Sequence, residues 1–396
     1  MAATNWSELP EEILNEISKR IDDEIDLIRF RSICSTWRSS SVPNRSLPLK
    51  FPLINLPFLS DSINNNTPFC CLSKQTLLLI KPPLQEQQTL NLRPWLIRIS
   101  RNIHGQNLFS HPLFHNRPIF QNIVLDFSKL SVLHLGTDFF ILDVADEQLY
   151  NCVLSGNFDY TDLKKVYAVM CHGKKPLVVG AFSCDPQHLL LKCNDENWKV
   201  IPDMSIKFGD ICLFKGQPYA VDKIGKTIKV GPDSSVQLVA DPLTGGGKTK
   251  FLVESEGDLL LVDVYDCCYY VDINNPLRIY LFKLNEKDKK WVKLTSLGDR
   301  VLILGHASSF SASASDLRVS KGNCIIFPHY LFILPRSWEC EGYVFDLDQG
   351  RLSYLSSYPE LFNLFLPPPK WILDRYQVCY LALKGFQCDC DIAFCA

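Results

Sequence analysis

Residues 245–249, Gly245–Gly246–Gly247–Lys248–Thr249, end like a phosphate-binding P-loop. Such a loop cradles phosphates with backbone N–H groups, and it needs another glycine five residues before the last one. Here that position is Pro242, and Lys250–Ser255 reads as a strand where the loop would need a helix. A flexible turn between strands is the expectation instead. Cys388, Cys390 and Cys395 offer thiolates, but the chain has no Cys-x-x-Cys pair and no histidine after His329, so zinc would lack a ligand set. Those cysteines read as part of a C-terminal tail. His104, His111 and His115 lie close together, yet Pro112 breaks helical pairing of the last two and argues for a loop. Asp143/Asp146 and Asp346/Asp348 could pose as acid–base pairs, but their spacing fits strand ends and turns equally well. No nucleophile–base arrangement stands out. The expectation is a chain that is not an enzyme and carries no cofactor or metal.

The elements that would position any site come in two kinds, helical at the start and β-rich afterwards. With 396 residues the chain exceeds an ordinary single-core domain, so two folding units are expected. Apolar residues at 46% and charged residues at 21% are ordinary globular values. A net charge of −2 gives no support for nucleic-acid binding. The start, MAATNWSELPEEIL, lacks a secretory pattern, and runs such as Thr76–Ile80 and Leu259–Val264 are too short to span a bilayer. A cytoplasmic or nuclear protein is expected, with the sequons at Asn5, Asn44 and Asn65 unused. The 16 cysteines are scattered among apolar residues, as in Cys34, Cys212 and Cys324, and read as small buried free thiols.

Leu9, Ile13 and Ile17 recur at helical spacing, with Leu14 and Ile21 widening the stripe. Pro10 suits the first helical position, and Glu11 and Glu12 suit the positive end of the helix dipole. Asp22 or Asp23 is expected to cap a second helix bearing Ile25, Leu27, Ile28 and Phe30. Ser32 or Ser35 is expected to cap a short third helix containing Trp37. Three short helices form little core of their own, which suggests stability borrowed from a partner.

From about residue 70 the chain alternates β-rich runs with turns. Examples are TLLLI (76–80), NIVLDF (122–127), KVYAVM (165–170), KFLVES (250–255), DLLLVDV (258–264) and NCIIF (323–327). No long amphipathic helix interrupts them, so an all-β domain is expected. Three pieces, PYAVDKIGKTIKV, IYLFKLNEKDKKWVKL and GYVFDLDQGRLSYL, each show a strand, a polar turn and a second strand. Their spacing exceeds the ~40–50 residues of compact propeller repeats.

The segment Trp6–Ser41 is similar to the F-box consensus through Leu9–Pro10, the Ile13/Leu14/Ile17 stripe, Asp26–Leu27, Arg29–Phe30–Arg31, Ile33–Cys34 and Trp37–Arg38. The remainder resembles the C-terminal domain of a large plant family of F-box proteins, a kelch-like β-propeller once described as of unknown function. The matching stretches include Gly209–Asp222, Phe251–Leu261, Tyr280–Gly305, Ser309–Ala314, Asn323–Phe327 and Pro367–Ile372. The match is weakest between about 45 and 160. Pro328–His329–Tyr330–Leu331 stands where family members often carry an acidic stretch.

The resemblance implies a mixed fold, a small all-α three-helix F-box followed by a large all-β propeller of six or seven blades. It divides the chain into an F-box at 4–45, a linker with first strands at 46–70, the propeller at 71–384 and a tail at 385–396. It implies that Leu9, Pro10, Ile13, Leu14, Ile17, Leu27, Phe30, Ile33, Cys34 and Trp37 meet a Skp-type adaptor, with Trp37 as the main anchor. The same stripe would also serve as the private core of a small helical unit. Through the adaptor the chain would join a cullin and act as the substrate receptor of a ubiquitin ligase. The propeller's loops would hold a target protein, with neither nucleic acid nor membrane as partner. A scaffold that binds without degradation is the second function class, and a propeller enzyme a remote third.

Overall fold

The structure is a computed structural model. It describes residues 9–21, 24–41, 49–52, 69–82, 92–101, 107–113, 118–120, 125, 130–143, 163–169, 177–182, 189–192, 199–201, 204, 208–247, 249–265, 277–305, 309–328, 342–366 and 368–374. Three N-terminal helices, α1 (Glu11–Lys19), α2 (Glu24–Ser32) and α3 (Ser35–Ser40), precede an all-β region. Among the described residues no helix is long and apolar enough to cross a membrane.

The first sheet has ten strands. They are β1 (Leu49–Pro52), β2 (Phe69–Lys81), β3 (Trp95–Arg101), β4 (Asn107–Ser110), β5 (Pro118–Phe120), β6 (Ser131–Asp143), β7 (Leu163–Val169), β8 (Leu177–Phe182), β9 (Leu189–Lys192) and β10 (Lys199–Val200). The second sheet holds β11 (Phe208–Phe214), β12 (Gln217–Asp222), β13 (Thr227–Val230) and β14 (Val236–Ala240) in consecutive order. The third holds β15 (Thr249–Ser255), β16 (Asp258–Tyr265), β17 (Arg278–Asn285) and β18 (Lys290–Leu294), likewise consecutive. The fourth holds β19 (Arg300–Ile303), β20 (Phe310–Ser313), β21 (Cys324–Phe327), β22 (Tyr343–Asp346) and β23 (Arg351–Tyr354), in the order β20-β19-β21-β22-β23.

The described residues thus form four sheets rather than the six or seven expected. Part of the discrepancy has a local cause. Strands β6 and β7 share one ladder pair, Phe139 with Val166, and that single join fuses β2–β6 and the meander β7–β10 into one sheet. The strands β6, β7, β11, β15 and β20 neighbour one another in a closed ring. The look-alike pieces also occupy unequal places, namely β12–β13, β17–β18 and β22–β23. What they share is a turn device. Asp222 Oδ1 accepts from the N–H groups of Ile224 and Lys226, Asn285 Oδ1 from that of Asp288, and Asp346 Oδ1 from those of Asp348 and Gln349. A shared turn chemistry at unequal strand positions explains why their spacing matched no repeat.

Strand position follows composition. DLLLVDV of β16 is buried along nearly its whole length because sheets pack on both of its faces. The outermost strands β14 and β18 leave Val236, Leu238 and Val292 exposed. The turn between β15 and β16 is two residues, Glu256 and Gly257, both at positive φ, as a right-twisted hairpin requires. The 122–127 run expected as a strand lies outside the described residues except Leu125, which is not in a strand.

A short helix, α4 (Ala314–Leu317), links β20 to β21, and two more, α5 (Pro359–Asn363) and α6 (Lys370–Leu373), end the described chain. The last two fold back on the first sheet, where Trp371 Nε1 donates to the Arg93 carbonyl at 3.0 Å and Arg93 donates to the Asn363 carbonyl at 2.6 Å. Lys81 of β2 reaches Asp316 of α4 at 2.5 Å. Early and late parts of the chain are thereby stitched together.

The glycine run wraps a buried ion pair and opens directly into β15. Lys250 Nζ lies 2.6 Å from Asp263 Oδ1, both side chains fully buried, and it also donates to the Gly247 carbonyl. The Gly247 N–H donates to the same carboxylate. A Cβ on Gly247 would collide with the Val264 carbonyl, so the close approach requires glycine. Lys250→Met would strand the Asp263 charge, and a loss of about 3–5 kcal/mol is expected in urea unfolding. A loss under about 1 kcal/mol would show that the pair is dispensable.

Asp346 supports a pH prediction. Burial alone would raise its carboxyl pKa, but the Lys321 hydrogen bond and the Gln349 and Asp348 N–H groups hold it below the ordinary value. Its contribution is therefore present above the unfolded pKa of about 3.9 and is lost as pH falls through the lower folded value. Asp346→Asn should flatten that acid limb of a stability–pH curve, and an unchanged limb would refute the assignment.

Candidate functional site

The helical module keeps a core of its own. Leu14, Phe30 and Trp37 pack together, flanked by the partly buried Leu9, Ile21 and Cys34. The Phe30 and Trp37 rings lie 4.4 Å apart, and Ser41 Oγ donates to the Trp37 carbonyl to finish α3. Pro10 sits one place earlier than expected, at the N-cap of α1, where its carbonyl accepts from Leu14. Asp22 and Asp23, expected to cap α2, lie outside the described residues. The cap of α3 differs from expectation: Cys34, with extended backbone, holds the N-cap place, Ser35 is the first helical residue and Ser32 ends α2.

Of the ten residues assigned to adaptor contact, Leu9 and Cys34 are partly buried and the other eight separate into two sets. Leu14, Leu27, Phe30 and Trp37 are buried within the module, and Trp37 retains only 9% of its exposure. Pro10, Ile13, Ile17 and Ile33 face solvent, the isoleucines at 48%, 38% and 56% exposure. Ile13 and Ile17 are one helical turn apart on α1 and form one stripe. Large apolar side chains left in water on so small a unit mark a surface that another molecule would cover.

The β region brings a second site together. Strands of all four sheets surround a cavity of about 460 Å³. Leu77, Leu133, Leu135, Leu213 and Phe310 supply apolar wall, and Tyr167, Glu254, Glu256, Arg300 and Ser309 supply polar groups. Most of the charge at this cavity is matched locally. Asp138 pairs with Arg98 at 3.1 Å, Asp316 with Lys81, and Glu256 with Arg300 at 3.5 Å. Arg300 Nε also donates to Ser311 Oγ, which lies 2.9 Å from Ser255 Oγ and links β15 to β20. Burial, and next the Asp138 carboxylate, push the Tyr167 hydroxyl well above its ordinary pKa.

The residues first weighed for chemistry find structural places. Asp346 and Asp348 belong to one turn, with Asp348 accepting from Asn323 Nδ2. His111 stacks on Phe365, and its Nδ1 accepts from the Leu113 N–H. Asp143 ends β6. His104, His115, Asp146, Lys248, the 388–395 cysteines and residues 329–331 of the divergent loop lie outside the described residues. Cys212 and Cys324 are buried free thiols, and burial pushes the Cys324 thiol up to about 12. Among the described residues no cluster of His, Cys, Asp and Glu could hold a metal. The cavity groups escaped sequence reasoning because they lie on distant strands with no common spacing.

Comparison with known proteins agrees with this two-part organisation. Residues 6–45 match the F-box domain and residues 61–348 match the KIB1-4 beta-propeller. The F-box protein SKIP23 of Arabidopsis thaliana is 33% identical, covering 94% of this chain and 96% of its own. The Arabidopsis thaliana F-box protein At2g17036 is 31% identical with the same coverage. Among solved structures, a mutant of a Synechocystis apocarotenoid oxygenase covers 71% of this chain and 77% of its own at 12% identity and a TM-score of 0.26, too distant to carry any argument. Helices at the start, sheets ringed around a cavity and likeness along nearly the whole chain converge: the protein belongs to the F-box proteins with a KIB1-4 β-propeller.

Proposed function

We propose that this chain is the non-catalytic substrate receptor of a Skp–cullin–F-box ubiquitin ligase. The observation that carries the proposal is the F-box itself, which spends Leu14, Phe30 and Trp37 on its own interior and leaves Pro10, Ile13, Ile17 and Ile33 uncovered. In this reading those four residues dock the Skp-type adaptor directly. The partly buried Leu9 and Cys34 join them at the edge of that surface, and the buried Leu27 and Trp37 hold the helices in the docking geometry. Burying each isoleucine is worth roughly 1.5–3 kcal/mol before association costs.

The adaptor then links the chain to a cullin, and the propeller holds a target protein near the ubiquitin-loaded enzyme. Rate enhancement comes from effective concentration, which asks no catalytic group of this chain. Free thiols at Cys34, Cys212 and Cys324 suit the reducing cytoplasm or nucleus. A net charge of −2 suits a protein target better than nucleic acid or an anionic membrane.

Two predictions follow from the split between core and surface. The combined variant Ile13→Asp, Ile17→Asp and Ile33→Asp should lose adaptor capture by at least about tenfold while its thermal melt stays unchanged. Capture of adaptor and cullin at the unsubstituted level would overturn the proposal. Trp37→Ala should act differently, costing about 3–5 kcal/mol of local stability and exposing the F-box helices to limited proteolysis before binding is even tested. Wild-type protease resistance in that variant would show that the Trp37 core is not what holds the module.

A further inference from the structure

One carboxylate at the axial cavity is unmatched. Glu254, next to last in β15, lines the cavity while remaining exposed, and among the described residues its side chain makes neither an ion pair nor a hydrogen bond. Its neighbour Lys215 is committed to Glu286 at 3.2 Å. Partial desolvation outweighs the attraction of Lys215 and holds the Glu254 carboxyl above its ordinary pKa. A second polar group is also unsatisfied: Ser309 Oγ is buried on the cavity lining and has no partner among the described residues. Beside these polar groups run the apolar walls of Leu77, Leu133, Leu135, Leu213 and Phe310.

Lysine and arginine have this composition in reverse, an apolar stem that tolerates burial and a cationic head that seeks a carboxylate and a hydroxyl. At about 460 Å³ the cavity is large enough to admit one such side chain. We propose that the axial cavity captures a lysine or arginine side chain of the target protein, with Glu254 as counter-ion and Ser309 Oγ as acceptor. The proposal rests on the receptor reading and names the chemistry of the segment to be recognised.

The test pans a displayed library of random heptapeptides against the full chain, against Glu254→Gln and against Glu254→Lys, with the thermal melts of all three compared. Adaptor capture is measured on the same preparations. The expected result is a lysine or arginine at one fixed position of the peptides selected by the unsubstituted chain. Replacing that residue by citrulline or acetyl-lysine should weaken binding about tenfold or more. Glu254→Gln should lose the preference, and Glu254→Lys should turn it toward acidic residues. No cationic position among the selected peptides, no selected peptide at all, or the same preference from all three proteins would overturn the cavity assignment. Persistent adaptor capture in that event leaves the receptor reading standing; a cationic preference without adaptor capture removes the receptor reading alone.

Discussion

Leu77, Leu79 and Leu96 of the first sheet share one buried cluster with Val301, Ile303 and Phe310 of the last, and α5 adds Leu361 to it. This contact closes the ring. Each sheet is apolar on both faces and must find a neighbour on each side, so an unclosed array would leave two faces in water. The cluster joins parts of the chain as distant as Lys81 and Asp316, which are 235 residues apart, so its loop-closure entropy is offset only when the intervening sheets are in place. Closure is therefore a property of the whole ring, and the cavity on its axis exists only because of it.

Within that ring, polar groups fix positions that apolar packing alone would leave loose. Asp210 Oδ2 accepts from the Leu252 N–H and ties β11 to β15, while Trp291 Nε1 donates to Gly225 and Thr227 and ties the third sheet to the second. Arg98 is buried, yet it donates to Gln75, Asp138 and the Pro112 carbonyl. Buried charge is costly unless matched, and these groups are matched by partners from other strands. Glu254 differs from these groups in being exposed at the cavity, where a ligand arriving from solvent could reach it.

The two halves of the molecule divide the work by rigidity and size. A helical unit with three fully engaged core side chains is too small to be strongly stable alone, and docking would supply the apolar cover that it lacks. The ring of sheets has its own extensive core and presents a preformed site.

The helical start, the β-rich remainder and the family were legible in the sequence, because period and composition report local burial directly. DLLLVDV is buried on both faces and read as a strand from its apolar run alone, and Leu9–Pro10 through Trp37–Arg38 carried the F-box order. The number of sheets was not legible: Asp222, Asn285 and Asp346 made three hairpins look like one repeat, although they stand at different strand positions. Nor could a helical stripe tell Leu14 from Ile13, since adjacent residues on α1 differ in burial only once α3 has chosen its side. The cavity was least legible of all. Glu254, Ser309 and Tyr167 have no spacing in common, and only ring closure brings them to one place, because strand neighbours in space are set by packing and not by distance along the chain.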